Sequence, residues 1–187
     1  MISNSLKTSQ LNNYRLSIAP MMDCTDRHFR VLMRQITQRS LLYTEMIVAQ
    51  ALHYSKNRNK LLDFDEIEHP ISIQLGGDDP NLLAEAAQMA EDWGYDEINL
   101  NIGCPSPKVK SGNFGACLMG KPQIVANCIE AMKKSCNIPI TVKHRLGIDN
   151  LDSDDYLMQF VDSCSIAGAD RFIIHARKAW LNGLNPK

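Results

Sequence analysis

A chain of 187 residues is long enough for one domain with its own hydrophobic core. Its 44% hydrophobic and 22% charged residues give the profile of an ordinary soluble globular protein, and no apolar run approaches the roughly 20 residues of a membrane span. A net charge of −1 supplies no bulk attraction for nucleic acid, so any RNA-binding charge must be local.

The chain begins with MISNSLKTSQLNNYR, a polar stretch with no apolar h-region. Residues 1–15 therefore read as a flexible leader, not a signal peptide, and residues 16–187 as one folded unit. A short first strand is predicted over Leu16–Pro20. A helix follows Thr25 and points Phe29, Leu32, Met33 and Ile36 inward. The second strand covers Leu41–Glu45, and helix is expected between Met46 and Phe64. After a third strand, Ile71–Leu75, Asp79 caps a helix with Pro80 in its first turn and Gly94 at its end. Leu82, Leu83, Ala86, Ala90 and Trp93 form its apolar face. The fourth strand is Glu97–Asn101. The next helix starts near Pro122, buries Ile124, Val125, Cys128, Ile129 and Met132, and is stopped by Asn137 and Pro139. The fifth strand is Ile140–Arg145. Another helix starts near Ser153, turns Tyr156, Leu157, Phe160, Val161 and Cys164 inward, and ends at Gly168. The sixth strand is Arg171–His175.

Strands alternating with helices imply a parallel sheet with right-handed crossovers, either doubly wound or part of a TIM-type (β/α)₈ barrel. A complete barrel takes about 250 residues, so only about the first six β/α units fit here. Side-chain alternation favours the barrel. Ile98 and Leu100 share one face of their strand, while Glu97, Asn99 and Asn101 share the other. Ile73 and Leu75 likewise oppose Ser72 and Gln74, and Ile140 and Val142 oppose Thr141, Lys143 and Arg145. Gln74, Asn101, Lys143 and His175 then sit at C-terminal strand ends, the edge where either architecture builds its site.

Asn101-Ile102-Gly103-Cys104-Pro105 leaves a strand directly into a turn, so Cys104 is either a catalytic thiol or a turn cysteine. Lys143, inward on an apolar strand, is a Schiff-base lysine, a cation set against an electron-rich ligand, or half of a salt bridge to Glu45 or Glu97. Gln74 can read an amide-like edge of a heterocycle or bond loop backbone. His175 either joins the site or closes the core. Lys108, Lys110, Arg145, Arg177, Lys178 and Lys187 all lie in segments of that rim and could track phosphates. Six cysteines occur, with no CxxC pair and no Cys/His cluster of zinc spacing. They read as reduced cytoplasmic thiols, mostly small core residues, and no metal is expected.

In combination the motifs are more specific. APMMDCTD (19–26), SIQLGG (72–77), NLNIGCPS (99–106), TVKHRLG (141–147) and the 174–187 segment beginning IHARKAWL occur in this order. So arranged, the chain resembles the tRNA-dihydrouridine synthases, and its last two motifs resemble the branch acting on uridines 20 and 20a of the tRNA D loop. The resemblance implies a partial flavin-binding barrel over 16–187, working with FMN and with NADPH as reductant, cytoplasmic, and a monomer at full length. It implies that Pro20, Met21 and Met22 pack on the flavin. Gln74 would bond the flavin ring, Lys143 would sit at its N1/O2 edge, and His175 would lie near its phosphate side. Cys104 would be the general acid. Asn101 and Lys187 would contact tRNA, with Arg145 and Arg177 as further cofactor or RNA contacts. The later glycine-rich strand loops and the C-terminal helical domain of that family have no counterpart in these residues, so the chain reads as C-terminally truncated. Other flavin barrel oxidoreductases, a Schiff-base aldolase and a non-catalytic RNA-binding fragment remain alternatives at this point.

Overall fold

The computed structural model describes residues 14–181. Six strands run parallel and pair in chain order. They are β1 (Ser17–Ile18), β2 (Leu41–Val48), β3 (Ile71–Gly76), β4 (Glu97–Ile102), β5 (Ile140–Arg145) and β6 (Arg171–His175). Helices α1 (Arg27–Ile36), α2 (Ala49–Tyr54), α3 (Arg58–Leu62), α4 (Pro80–Trp93), α5 (Pro107–Ser111), α6 (Pro122–Ser135) and α7 (Asp154–Ile166) fill the crossovers. A doubly wound sheet reverses its strand order partway along, whereas here every strand lies beside its predecessor, as in a (β/α) barrel. The result is a half-barrel with β1 and β6 as its edges.

The side facing the helices is apolar. Ile71, Ile73, Leu75, Ile98, Leu100, Ile140 and Val142 are fully buried, as are Leu83, Ala87 and Ala90 of α4 and Val125, Ile129 and Met132 of α6. Each large side chain so buried contributes about 1.5–3 kcal/mol. The caps foreseen from sequence are in place. Asp79 accepts from the N–H groups of Asn81 and Leu82 ahead of Pro80, Gly94 takes a left-handed φ of 97°, and Ser153 accepts from Tyr156. Of the cysteines, only Cys128, Cys136 and Cys164 are buried, while Cys24 is exposed and Cys104 and Cys117 are partly so. The expectation that most are core residues therefore holds for half of them. Burial raises the Cys128 and Cys164 thiols to about 12.

Two local expectations are corrected. β2 does not stop at Glu45 but runs to Val48, so the helical stretch starts at Ala49 and breaks between α2 and α3. The register against β3 shifts between Tyr43 and Met46, and the Thr44 hydroxyl accepts the Gln74 N–H at 3.0 Å. Such an irregularity lets β-branched Ile47 and Val48 continue the strand. On α1, Leu32 and Ile36 are 59% and 71% exposed, and the buried side chains are Arg30 and Arg34. Arg30 binds the buried Glu68 carboxylate at 2.5 Å, and Arg34 donates to the carbonyls of Thr37, Ser40, Glu68 and Pro70. Distant carbonyls, invisible to helical periodicity, draw the arginine face inward. Residues 1–13, most of the predicted leader, lie outside the described residues.

His144 sits on the helix side of β5, fully buried, with its ring centroid 5.4 Å from that of Phe160 and 5.9 Å from that of Phe172. Its Nδ1 lies 2.7 Å from the Arg145 carbonyl oxygen, and its Nε2 has no hydrogen-bond partner among the described residues. Burial lowers its pKa below the ordinary imidazole value.

Two predictions follow from this packing. In urea unfolding, Leu32→Gln and Ile36→Gln change stability by less than about 0.5 kcal/mol, whereas Arg30→Met, which strands the Glu68 charge, costs about 3–5 kcal/mol. A large loss at Leu32 or Ile36 would restore the apolar face to the core. For His144, the folded chain keeps the ring neutral where the unfolded chain already binds a proton. Stability is therefore full above the unfolded value of about 6.5 and falls as pH drops through it. His144→Phe should flatten that decline between about pH 7.5 and 5.5, and an unchanged decline would contradict the assignment.

Candidate active site

The C-terminal strand ends surround a cleft of about 630 Å³. Pro20, Met21, Met22, Met46, Val48 and Phe114 give it an apolar wall. Gln74, Asn101, Cys104 and His175 form a polar group, and Lys143 and Arg145 a cationic one. Of the residues singled out in sequence, Pro20, Met21, Met22, Gln74, Asn101, Cys104, Lys108, Lys143, Arg145 and His175 converge here, whereas Lys110, Lys178 and Arg177 do not line the cleft. Arg177 is exposed, and its N–H donates to the His175 carbonyl at 2.6 Å. Lys187 lies outside the described residues.

Cys104 stands on a turn held from several sides. The Asn101 Oδ1 accepts the N–H groups of Gly103 and Cys104, each at 3.0 Å. Arg145 Nε donates to the Gly103 carbonyl at 2.9 Å, and the Ala116 N–H donates to the Cys104 carbonyl at 2.9 Å. Gly115 permits that last contact: its φ is +72°, and a Cβ there would lie 2.6 Å from the Cys104 carbonyl oxygen. Arg145, foreseen as a cofactor or RNA contact, thus also braces the thiol's turn. Asn101 uses its carbonyl on the turn and one N–H on Gln74, which leaves its second N–H for a ligand.

Beneath the cleft the sheet interior is polar. Gln74 Nε2 donates to Asn99 Oδ1 at 2.8 Å, and Asn99 Nδ2 donates to Thr141 Oγ1 at 2.9 Å. Thr141 donates in turn to Glu97 Oε1 at 2.8 Å. Glu97 also accepts from Tyr43 at 3.2 Å and Ser72 at 3.3 Å, and its second oxygen pairs with Arg171. Burial pushes the Glu97 carboxyl upward against the pull of Arg171 and the hydroxyls. Sequence reasoning placed Glu97 and Asn99 on the inward face but missed the network. Its only signal was the polar alternation along β3, β4 and β5.

The salt bridge considered for Lys143 does not form. Glu97 pairs with Arg171, and Glu45 accepts the Asp23 N–H. Half-buried Lys143 has no ion pair among the described residues. Burial lowers its pKa first, and the neighbouring Arg145 lowers it further. His175 is lowered by burial and then by Arg145, Lys143 and Arg177. Within the cleft lining the single carboxylate is Asp23. Lys143 and Arg145, two converging cations that disfavour one another's charge, are relieved by an anionic or electron-rich ligand. An apolar wall opposite them suits a flat heterocycle with such an edge, so these residues fit a flavin. The wider basic rim is partly engaged: Lys178 pairs with Asp152 at 2.6 Å and lies 4.0 Å above the Trp180 ring, and Lys110 donates to the Leu181 carbonyl.

Comparison with known proteins places this geometry. The chain is 61% identical over 172 residues to a tRNA-dihydrouridine(20/20a) synthase of Synechocystis sp., covering 92% of this chain and 51% of that protein. It is 49% identical over 187 residues to the Shewanella oneidensis protein of the same name, covering 100% of this chain and 55% of that one. The chain thus spans about half the length of the curated relatives it matches. Among solved structures, the carboxyl transferase domain of Rhizobium etli pyruvate carboxylase overlays with a TM-score of 0.45 at 15% identity, covering 89% of this chain and 33% of that one, and contributes nothing to the assignment. The family model described as dihydrouridine synthase matches residues 17–183, from β1 past the end of β6, and so takes in every strand that feeds the cleft. By that match the chain belongs to the dihydrouridine synthase family.

Proposed function

We propose that this chain carries the reactive portion of a cytoplasmic, flavin-dependent tRNA-dihydrouridine synthase that reduces the uracil C5=C6 bond of D-loop uridines 20 and 20a. The observation that carries the reading is the convergence of Cys104, Gln74 and an unpaired, half-buried Lys143 on one cleft with an apolar wall. The names of the similar proteins support the substrate.

FMN, reduced by NADPH, supplies a hydride to uracil C6 when bound. The protein's residues do the rest. Negative charge develops toward C5 and O4 of the base, and the Cys104 thiol donates its proton at C5. Bracing of its turn by Asn101 and Arg145 keeps the sulfur in one place through the transfer. Lys143 would hold the cofactor by offering a cation to its N1–O2 edge, and the remaining N–H and lone pair of Gln74 would serve its imide-like rim. Pro20, Met21 and Met22 would pack on its ring, and His175 and Arg145 would serve its phosphate side. Asn101 turns its spare N–H toward the base, which must leave its stack to enter. Lys187, Arg177 and the exposed Lys108 bind the RNA backbone. At full length the enzyme acts as a monomer.

Assayed in a polypeptide of the relatives' length, Cys104→Ala should lower dihydrouridine formation by about a hundredfold or more while flavin remains bound. An alanine variant with undiminished turnover would remove Cys104 from the acid's role.

A further inference from the structure

The interior hydrogen bonds form one continuous chain with a single direction. The Glu97 carboxylate can only accept and the Arg171 guanidinium can only donate, so their pairing leaves Glu97 as an acceptor to every other neighbour. Thr141 touches both Glu97, at 2.8 Å, and Asn99, at 2.9 Å. Its one proton goes to the carboxylate, a shorter and charge-assisted contact than the 3.3 Å approach to the Ile98 carbonyl. Thr141 must therefore accept from Asn99, which turns the Asn99 NH₂ toward Thr141 and its carbonyl toward Gln74. Gln74 must then present NH₂ to Asn99 and carbonyl to Asn101. Asn101 is left with its carbonyl facing the turn, where the Gly103 and Cys104 N–H groups require an acceptor.

An amide turned end for end keeps its shape but exchanges donor for acceptor. Reversing any link would point the Asn101 NH₂ at two N–H donors. We propose that Glu97 and Thr141 are positioning residues: through this chain, one buried carboxylate fixes the amide orientations that hold the Cys104 turn closed. Their importance for catalysis rests on the proposed function. Their effect on the thiol does not, because it can be read without flavin or tRNA.

The test is the alkylation rate of each cysteine by iodoacetamide in the folded chain, resolved by peptide mass spectrometry. Thr141→Val keeps the shape and removes the hydroxyl that makes the first two links, to Glu97 and from Asn99. It should speed Cys104 labelling by about threefold or more, since even one lost hydrogen bond of about 0.7 kcal/mol is worth that factor. Cys128, Cys136 and Cys164, buried in the core, serve as internal controls and should not change. Thr141→Ser should restore the wild-type rate. Ser72→Ala removes a Glu97 donor that lies off the chain and should leave Cys104 unaffected. If Thr141→Val gives no folded protein, Gln74→Met interrupts the same chain nearer the turn and is held to the same outcomes. The proposal is overturned if Cys104 labelling does not change, if the buried cysteines accelerate with it, or if Ser72→Ala has the same effect.

Discussion

The architecture turns on the burial of one carboxylate, Glu97, inside a parallel sheet. A charge in that position is tolerable only if several donors reach it. They come from four other strands: Tyr43 on β2, Ser72 on β3, Thr141 on β5 and Arg171 on β6. For groups on five strands to meet at one point, the sheet must curve around Glu97 in a fixed register. The same requirement explains why the interior is polar while the opposite face is packed with isoleucine, leucine and valine. The curvature is what carries the strand ends, and the residues on them, into one cleft.

The arc is open, and its apolar surface is not all covered. Leu32 and Ile36 of α1, Ile166 of α7 and Ile174 of the edge strand β6 are exposed. Among the described residues β1 and β6 each pair on one side only, and exposed apolar side chains beside such edges favour association. The core beneath α4 and α6 does not share this weakness, because its strands are covered on the helix side and tied together on the other. The cleft lies over that well-tied part, and the Cys104 turn stands on β4 at its centre.

Much of this was legible in sequence, for identifiable reasons. β5 and β6 fall where alternation put them, and the ends of α4 follow from Asp79, Pro80 and Gly94, each a local signal. The gathering of Gln74, Asn101, Lys143 and His175 was legible because parallel strands deliver their C-terminal ends to one side. What escaped depends on partners far away in the chain. The inward turn of Arg30 and Arg34 depends on the segment from Glu68 to Pro70, and the Glu97–Arg171 pair joins residues 74 apart. The extension of β2 escaped because Met46–Val48 follows a register shift that alternation cannot anticipate. The choice of partner for Lys143 was also beyond local reading: both carboxylates considered for it are engaged elsewhere, and the lysine has no ion pair among the described residues.

The central claim is that the residues of this chain form a cationic, apolar-walled cleft that receives a flavin. It is tested most directly by titrating the purified chain with FMN and following flavin fluorescence. Saturable one-to-one binding, weakened about tenfold or more by Lys143→Ala, is the predicted result. No saturable binding, or equal affinity in the alanine variant, would contradict it.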